Sequence, residues 1–362
     1  MRFPGFEGEW ESRKIGEDCS VLMCKRIFAN QTSEQGDVPF YKIGTIGAEP
    51  DAYISRELFD EYKAKYNYPR EGEVMVTCAG TVGKTIVFDG KDSYYQDSNI
   101  VWLSNPKQLY LNSFLNYFLS RVNWNKLNST TITRIYNDNL RELDIKYPSV
   151  KEQEKIVSLL SLLDQRISVQ SKVIERYESL IKALRHHIFA SINPVEEACF
   201  SDILSYEQPT RYIVTDTEYS DNKDLTPVLT ANKAFILGYT DEREGIYWKG
   251  PCIILDDFTL DCKIVDFQFK VKSSAIKILT AKSSVNLRYV YEYLRYLDLN
   301  TEEHKRHYIA EIEPMSIALP GKAEIDAIAN LFSKLDSCKQ LAERDLELLK
   351  SEKAFYLNSL FI

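Results

Sequence analysis

The sequence lacks several features that would place the protein in a membrane or outside the cell. It has no run of 18 uncharged apolar residues, so no membrane-spanning helix is predicted. The first ten residues, MRFPGFEGEW, lack the basic and then apolar order of a secretory signal peptide. The seven cysteines are scattered without a CxxC pair, which argues against a disulfide framework and a zinc ribbon. We therefore expect a reduced cytoplasmic protein.

Signatures of catalysis are also missing. The chain has no Asn/Asp-Pro-Pro-Tyr motif of adenine methyltransferases, no glycine-rich cofactor loop, no Walker A motif and no HExxH. Residues 80–85 (GTVGKT) are similar to a phosphate loop, but Cys78 stands where the first glycine is required. His304 and His307 have no nearby set of cysteine or acidic partners for a metal. We expect no enzyme activity, no cofactor and no metal in this chain.

The chain lacks an excess of basic residues, and its formal net charge is −8. This sign is unfavourable for non-specific binding of nucleic acid, although an acidic protein can still present local basic faces. The charge slightly favours one alternative, a non-enzymatic scaffold whose helices bind protein partners and whose globular domains recognise peptides. A nuclease is a second alternative, which an assay with Mg²⁺ would reveal.

What the sequence does contain is a long heptad repeat in residues 151–190. Apolar residues recur at steps of three and four, and no Pro or Gly interrupts them. At ~1.5 Å per residue the helix would be roughly 60 Å long and needs a partner along its seam. Two amphipathic helices that each cover their own domain are the alternative. The predicted seam, broken by the polar Gln170, comprises Ile156, Leu160, Leu163, Ile167, Ile174, Tyr177, Ile181, Leu184 and Ile188.

The same pattern returns 172 residues later, which makes it an internal repeat. The match extends upstream of the helix, where Arg134 corresponds to Arg306 and Pro148 to Pro320. Lys339 and Lys353 fall on the second seam and put the strength of helix pairing there in doubt. The apolar members of the second seam are Ile328, Phe332, Leu335, Leu346, Leu349, Tyr356 and Leu360.

The repeat predicts a globular unit and a long helix, each occurring twice. The predicted division is 1–148, 149–191, 192–320 and 321–362, with residues 191–198 as a turn and linker. Each unit mixes strands and helices, and helices are expected after Ser55, Asn112 and Asn286. The predicted strands are 74–77, 86–88, 100–103 and 143–147 in the first unit, and 252–255, 264–269 and 275–279 in the second.

Four features of the chain resemble the specificity subunit of type I restriction–modification systems. The opening residues 2–10 (RFPGFEGEW) are similar to that family's N-terminal tail. Residues 145–156 (IKYPSVKEQEKI) resemble its strand–Pro–Glu-Gln–Ile junction, and Leu163-Asp164 with its repeat Leu335-Asp336 resembles its helix signature. Residues 80–84 (GTVGK) resemble a loop of its recognition domains, although the second half has no counterpart of this loop.

This resemblance implies a fold class and a function. The fold would be α/β (α+β), with two target-recognition domains each followed by a long helix, and the helices packed as an antiparallel coiled coil with pseudo-two-fold symmetry. Each domain would read one half of a bipartite site in double-stranded DNA, and the helices would set the spacer and bind two methyltransferase subunits. Those subunits would bind S-adenosylmethionine, and restriction subunits, where present, would use ATP and Mg²⁺. The location would be the bacterial or archaeal cytoplasm.

Candidate DNA-binding residues follow from side-chain chemistry and from the repeat. Arg134 and Arg306 precede each closing strand, and arginine is the commonest bidentate reader of guanine. A salt bridge at the head of the long helix is their alternative. For Lys84 a plain β-turn is favoured, and for Lys270, Lys272 and Lys277 a solvated basic face is favoured. The candidates are Lys42, Thr45, Lys84, Thr131, Thr133, Arg134, Tyr136, Thr230, Asn232, Lys233, Lys272, Lys305, Arg306 and Tyr308.

Overall fold

The computed structural model describes residues 2–124, 134–231, 234–282, 285–299 and 305–361. It contains two compact units, the first formed by residues 1–169 with 346–362 and the second by residues 170–345. The boundary between the units falls inside both long helices, so each unit contains a globular part and a portion of each helix. The predicted four-part division of the chain stays a prediction.

The first unit contains two larger sheets and one strand pair. One sheet is antiparallel with the order β2-β8-β5-β6, the second has the order β4-β3-β7 with β3 and β7 parallel, and β1 pairs with β9. The strands are β1 Glu11–Lys14, β2 Ser20–Met23, β3 Val38–Tyr41, β4 Tyr53–Ile54, β5 Val74–Thr77, β6 Thr85–Val87, β7 Tyr94–Tyr95, β8 Ile100–Ser104 and β9 Asp144–Tyr147. The helices are α1 Ile15–Asp18, α2 Arg56–Lys65, α3 Asn112–Ser120, α4 Asn137–Arg141 and α5 Val150–Ala190.

The second unit repeats this topology strand for strand. Its sheets have the orders β11-β17-β14-β15 and β13-β12-β16, with β12 and β16 parallel, and β10 pairs with β18. The strands are β10 Glu196–Cys199, β11 Leu204–Glu207, β12 Thr226–Leu229, β13 Ile236–Thr240, β14 Cys252–Asp256, β15 Cys262–Val265, β16 Lys270–Val271, β17 Ile276–Ala281 and β18 Ser316–Leu319. The helices are α6 Phe200–Ile203, α7 Leu287–Tyr296 and α8 Lys322–Leu360.

Each four-stranded sheet lies between two apolar cores. In β5, Val74 and Val76 join the core that contains α3, whereas Met75 joins the core beneath the three-stranded sheet. Successive side chains of a strand point to opposite faces, so a strand covered on both sides is apolar throughout. In β14, Ile253 and Ile254 divide between two cores in the same way.

Most of the predicted elements are confirmed, with three corrections. Ser55 and Asn286 cap α2 and α7 by accepting from backbone N–H groups, but Asn112 lies inside α3. The predicted strand 264–269 is wrong, because β15 ends at Val265 and β16 begins only at Lys270. The predicted linker 191–198 contains most of β10, which the sequence did not indicate because its residues are largely polar and exposed.

The long helices run antiparallel where their portions meet inside each unit. In the second unit Gln170 donates to the carbonyl of Ala342 at 2.9 Å, and Lys339 lies 2.9 Å from Glu178. In the first unit Lys353 lies 2.5 Å from Asp164. Both seam lysines therefore pair with carboxylates of α5. Every residue of the two predicted seams is buried or half-buried, whereas Leu162, Leu180 and Leu348 on other faces of the helices are exposed.

Buried contacts join each globular part to its helices. Gln153 is fully buried, accepts from Leu111 N at 2.8 Å and donates to the carbonyls of Leu109 and Pro148. Phe361 stacks on Phe114 of α3 with ring centroids 4.8 Å apart. Its repeat equivalent, Phe189, packs against Tyr289 of α7 in the second unit. The Glu-Gln junction therefore has a structural role, because it satisfies the backbone before α3.

Candidate nucleic-acid interface

Four segments of the first unit meet at one edge, which we call the first edge: residues 42–47, 78–84, 96–99 and 134–136. Ile43 N donates to Gln96 Oε1 at 3.3 Å, and Lys84 Nζ donates to the carbonyl of Ile46 at 2.6 Å. Cys78 N donates to the carbonyl of Asn99, and Ile135 N donates to the carbonyl of Cys78. Hydrogen bonds that each use at least one main-chain group therefore bring together candidates that are far apart in the sequence.

The GTVGK segment forms the hairpin between β5 and β6. Val82 N and Gly83 N donate within the loop, and Lys84 N donates to Thr77 Oγ1, so these three groups are used internally. These three N–H groups are therefore not free to bind a phosphate, which agrees with the plain β-turn favoured for this loop. Gly83 has φ +81°, and a Cβ there would lie 2.1 Å from Trp124. Glycine is needed for this turn, and the Lys84 side chain is exposed although its Nζ donates to the Ile46 carbonyl.

The remaining candidates of the first edge differ in exposure. Tyr136 is 61% exposed, and the Arg134 guanidinium lies 6.0 Å from the centre of its ring. The Arg134 guanidinium donates to the carbonyl oxygen and to the hydroxyl oxygen of Ser98. It forms no ion pair within the described part of the chain. The predicted salt-bridge alternative therefore has no support there. Lys42 pairs with Asp51, and Thr45 Oγ1 accepts from Lys42 N at 3.1 Å. Thr131 and Thr133 lie outside the described residues.

The second unit has an edge built by the same backbone contacts, which we call the second edge; its described residues are 230–231, 234–235, 256–261, 272–275 and 305–308. Asp257 N donates to the carbonyl of Ala275, and His307 N donates to that of Asp257. These bonds correspond to those that Cys78 makes in the first edge. Lys272 N donates to the carbonyl of Leu229, and Gln96 N of the first edge donates to the carbonyl of Tyr41 in the same way. The hairpin 256–261 is thus a topological counterpart of the GTVGK loop, which sequence comparison did not find.

Three candidates of the second edge are exposed cations, and one prediction is wrong. Lys272 and Arg306 are exposed, with the Arg306 guanidinium 6.0 Å from the centre of the Phe258 ring. Tyr308 is fully buried, and its ring packs edge-on against Tyr206 at 5.6 Å, so it cannot contact DNA. Lys305 is exposed and lies 3.0 Å from Glu311.

Thr230 is half-buried, and its N–H donates to the carbonyl of Phe235 at 3.0 Å. This bond holds the loop that follows β12, the counterpart of the Lys42 loop after β3. Asn232 and Lys233 lie outside the described residues, as does His304 of the rejected metal pair.

A buried polar cluster supports the second edge. The Asp257 carboxylate accepts from Tyr308 N at 2.8 Å and from His307 N at 3.2 Å. Lys277 Nζ lies 3.4 Å from the same carboxylate, and both side chains are 1% exposed. His307 is also buried, with Nδ1 2.7 Å from Glu311. Sequence reasoning missed this cluster, because a lysine and an aspartate on separate strands carry no local signal of pairing.

The prediction of a solvated face for Lys270 and Lys277 is wrong. Lys270 is 3% exposed, and its Nζ lies 2.7 Å from Glu242 and donates to the carbonyl of Glu244. The hydrogen bond from Lys270, with those from Asp216 N and Thr215, lowers the pKa of Glu242 to about 2. Of the three lysines, Lys272 alone remains at the surface.

Groups suited to catalysis are not found at these edges in the described residues. Burial raises the pKa of the Cys78 thiol to about 11, which keeps it protonated and poorly nucleophilic at neutral pH. Within the described ranges no group of three or more His, Cys, Asp or Glu side chains could hold a metal ion. No helix in the same ranges is long and apolar enough to cross a bilayer. The geometry of both edges is suited to contact rather than to chemistry.

Comparison with known proteins gives consistent relatives. Residues 7–178 match the family model of the Type I restriction modification DNA specificity domain. The chain is 52% identical over 147 residues to a putative type I restriction enzyme specificity subunit, S.HindORF215P, from Haemophilus influenzae, covering 41% of this chain and 38% of that protein. It is 38% identical over 179 residues to the Escherichia coli type I restriction enzyme EcoR124I/EcoR124II specificity subunit, covering 46% and 44%. These matches span less than half of either relative.

A solved structure shares the fold over the full length. The crystal structure of the type I restriction–modification system S subunit from M. genitalium superposes with a TM-score of 0.66 at 16% identity, covering 100% of this chain and 99% of that one. The resemblance to specificity subunits and the predicted α/β architecture with two long helices are thus confirmed.

Proposed function

We propose that the whole chain is the non-catalytic specificity subunit of a type I restriction–modification complex, because residues 7–178 match the family model of the Type I restriction modification DNA specificity domain. Each unit reads one half of a bipartite target in double-stranded DNA. The subunit meets its DNA and its partners in the cytoplasm of a bacterium or archaeon.

One observation carries this proposal: the two edges are built alike but present different side chains. The backbone bonds made by Cys78 in the first edge recur at Asp257 in the second. At the surface, however, Lys84 and Tyr136 occupy the first edge, whereas Lys272 and Arg306 occupy the second. Sequence is read by side chains at base edges, whereas a shared backbone only positions them. Two similar frames with different side chains are therefore suited to two different half-sites.

The long helices fix the distance between the half-sites in this proposal. A helix of 41 residues is roughly 60 Å long, which lies between one and two turns of B-DNA at ~34–36 Å per turn. Within each unit, an ion pair and buried seam residues join the antiparallel portions of the two helices. Their exposed faces bind two methyltransferase subunits, which supply S-adenosylmethionine, and restriction subunits, where present, supply ATP and Mg²⁺ chemistry.

Lengthening both helices tests this proposal. Inserting one heptad after Val169 and one before Leu346 keeps the seams in phase and adds ~10 Å, which is about three base pairs of B-DNA. The affinity of the chain, assembled with its methyltransferase subunits, is measured for duplexes whose spacers differ in length. The preferred spacer should grow by about three base pairs, with both half-site sequences unchanged.

The matched control places the same heptad in the exposed loop around residues 221–224, which should leave the preferred spacer as it is. If the spacer preference of the doubly extended variant is unchanged, the helices do not set the separation. Absence of salt-dependent binding to any duplex would overturn the DNA-reading proposal itself, because phosphate contacts weaken steeply as salt rises.

A further inference from the structure

The second unit contains a cavity of about 450 Å³ that the DNA-reading edge does not use. It lies between the second half of α5, strand β15, helix α7 and helix α8. A volume of this size is in the range of pockets that hold small molecules. Its lining is strongly basic, with contributions from Lys182, Arg185, His186, Lys263, Arg295 and Lys339.

Two of these basic side chains have carboxylate partners, and three others do not. Arg185 lies 2.8 Å from the buried Glu292, and Lys339 lies 2.9 Å from Glu178. Lys182, Lys263 and Arg295 form no ion pair within the residues that the structure describes. Glu178, Asp298 and Asp336 also line the cavity, and the carboxylates of Glu178 and Asp336 are already engaged by Lys339 and Arg288. The lining therefore holds six basic side chains against three carboxylates, which leaves an excess of positive charge facing the cavity.

The first unit shows how the equivalent place looks when the chain fills it. There Tyr117 of α3 donates to Asp164 at 2.7 Å, and Lys353 lies 2.5 Å from the same carboxylate. The repeat places Ile181 at the position of Lys353, and Ile181 cannot form that ion pair. In the second unit isoleucine stands where the first unit has Lys353, and Asp336 pairs with Arg288 instead. These two differences leave an open space lined by cations.

We infer that this cavity binds a small phosphate-bearing ligand. Several separate cations facing one space match the several oxygens of a phosphoryl group, and the planar fork of Arg295 can bind two of them at once. Tyr291 and Tyr296 also line the cavity, and the His186 ring lies 5.9 Å from that of Tyr296. A nucleoside phosphate would place its base against these rings, whereas inorganic polyphosphate would use the cations alone. This site is independent of the proposed function.

Calorimetric titration of the full chain with ATP, inorganic tripolyphosphate and adenosine tests the inference. ATP and tripolyphosphate should bind and adenosine should not; tighter binding of ATP identifies a nucleotide site, and equal binding identifies a polyphosphate site. Lys263→Gln and Arg295→Gln should each weaken binding at least about tenfold, because each removes a charge-assisted hydrogen bond. Lys182→Gln, at an exposed helix position that tolerates the change, should also weaken it.

Lys334→Gln is the matched control, because it removes one exposed charge of α8 that does not line the cavity, and it should leave binding unchanged. Failure of both ATP and tripolyphosphate to bind at millimolar concentration would overturn the inference. Equal weakening by Lys334→Gln would also overturn it, since binding would then reflect general charge. If the cavity variants lose duplex DNA affinity and duplex DNA displaces ATP, the cations belong to the DNA interface instead, and the site is not one for a small ligand.

Discussion

Replacing Asp257 by asparagine should destabilise the second edge and weaken only the half-site that this edge reads. The Asp257 carboxylate accepts from the N–H groups of His307 and Tyr308, next to Arg306, and pairs with Lys277 in a place where both side chains are 1% exposed. Asparagine keeps the shape and one acceptor oxygen but leaves the Lys277 ammonium buried without an opposite charge. The substitution therefore removes a charge, with little change in volume.

The magnitude follows from the burial of the pair. Breaking a buried ion pair by removing one partner costs about 3–5 kcal/mol, because an uncompensated charge remains in the interior. Removing both charges, as in Asp257→Asn with Lys277→Met, should recover a large part of this loss. The measurement is urea unfolding of both variants, together with hydrogen–deuterium exchange of residues 305–312. Exchange of the His307 and Tyr308 amides should accelerate in the single variant.

The functional assay uses duplexes in which one half-site at a time is scrambled. Asp257→Asn should lose the discrimination that comes from the second half-site and keep that of the first, because Cys78 occupies the equivalent place in the first edge and carries no such pair. The reasoning is refuted if the single variant is within about 1 kcal/mol of the wild type. It is also refuted if both half-sites lose discrimination equally.

Three further predictions concern other parts of the chain. Glu242→Gln should destabilise the second unit by at most about 3 kcal/mol near neutral pH, since Lys270 lowers the pKa of this 19%-exposed carboxylate from 4.5 to about 2. This contribution is complete above pH 4.5 and is lost as the pH falls towards 2, so urea unfolding should show the two proteins converging between pH 6 and pH 3. Arg134→Ala should weaken binding about tenfold through the first half-site alone, measured with half-scrambled duplexes. Phe332→Ala should cost about 3–5 kcal/mol in urea unfolding, because the buried ring stacks on a neighbour in the core, whereas Leu331→Ala, at a 39%-exposed position, should cost far less.

Each of these predictions has a contradicting outcome. A constant stability difference between Glu242→Gln and the wild type from pH 6 to pH 3 would mean that Lys270 does not set the carboxylate's titration. Equal losses at both half-sites for Arg134→Ala would assign that arginine a structural role. Similar costs at positions 331 and 332 would mean that the seam does not distinguish the buried face of α8 from its exposed face.

Periodic burial explains why the helices could be predicted. A seam that must face a partner over many turns requires apolar residues at fixed steps, and Ile156, Leu160 and Phe332 follow that rule and are fully buried. Local hydrogen bonding made Ser55 and Asn286 readable as helix caps, since a short polar side chain accepts from the first free N–H groups. These signals are contained within a few residues of the sequence.

The positions predicted wrongly depend on contacts between distant residues. Lys277 and Lys270 were interpreted as solvated because their partners, Asp257 and Glu242, lie on other segments of the chain. A buried lysine is tolerated only with such a partner, and its own sequence neighbourhood does not reveal one.

The repeat was a reliable guide to the backbone and a poor guide to side-chain environment. Tyr136 and Tyr308 are equivalent by the repeat and follow equivalent backbone hydrogen bonds, but the first is 61% exposed and the second is fully buried. The two edges differ because each surrounds the shared backbone with its own side chains. This divergence is expected of two recognition surfaces for different sequences.

The measurement that tests the central claim most directly is a map of adenine methylation in a host that expresses this chain with the proposed methyltransferase subunits. The account predicts a split motif with a fixed spacer, present only when the chain is present. Arg134→Ala should relax one half of that motif, and Asp257→Asn the other. Methylation at an undivided motif, or a complex that assembles and binds DNA without producing any sequence-specific methylation, would contradict the account.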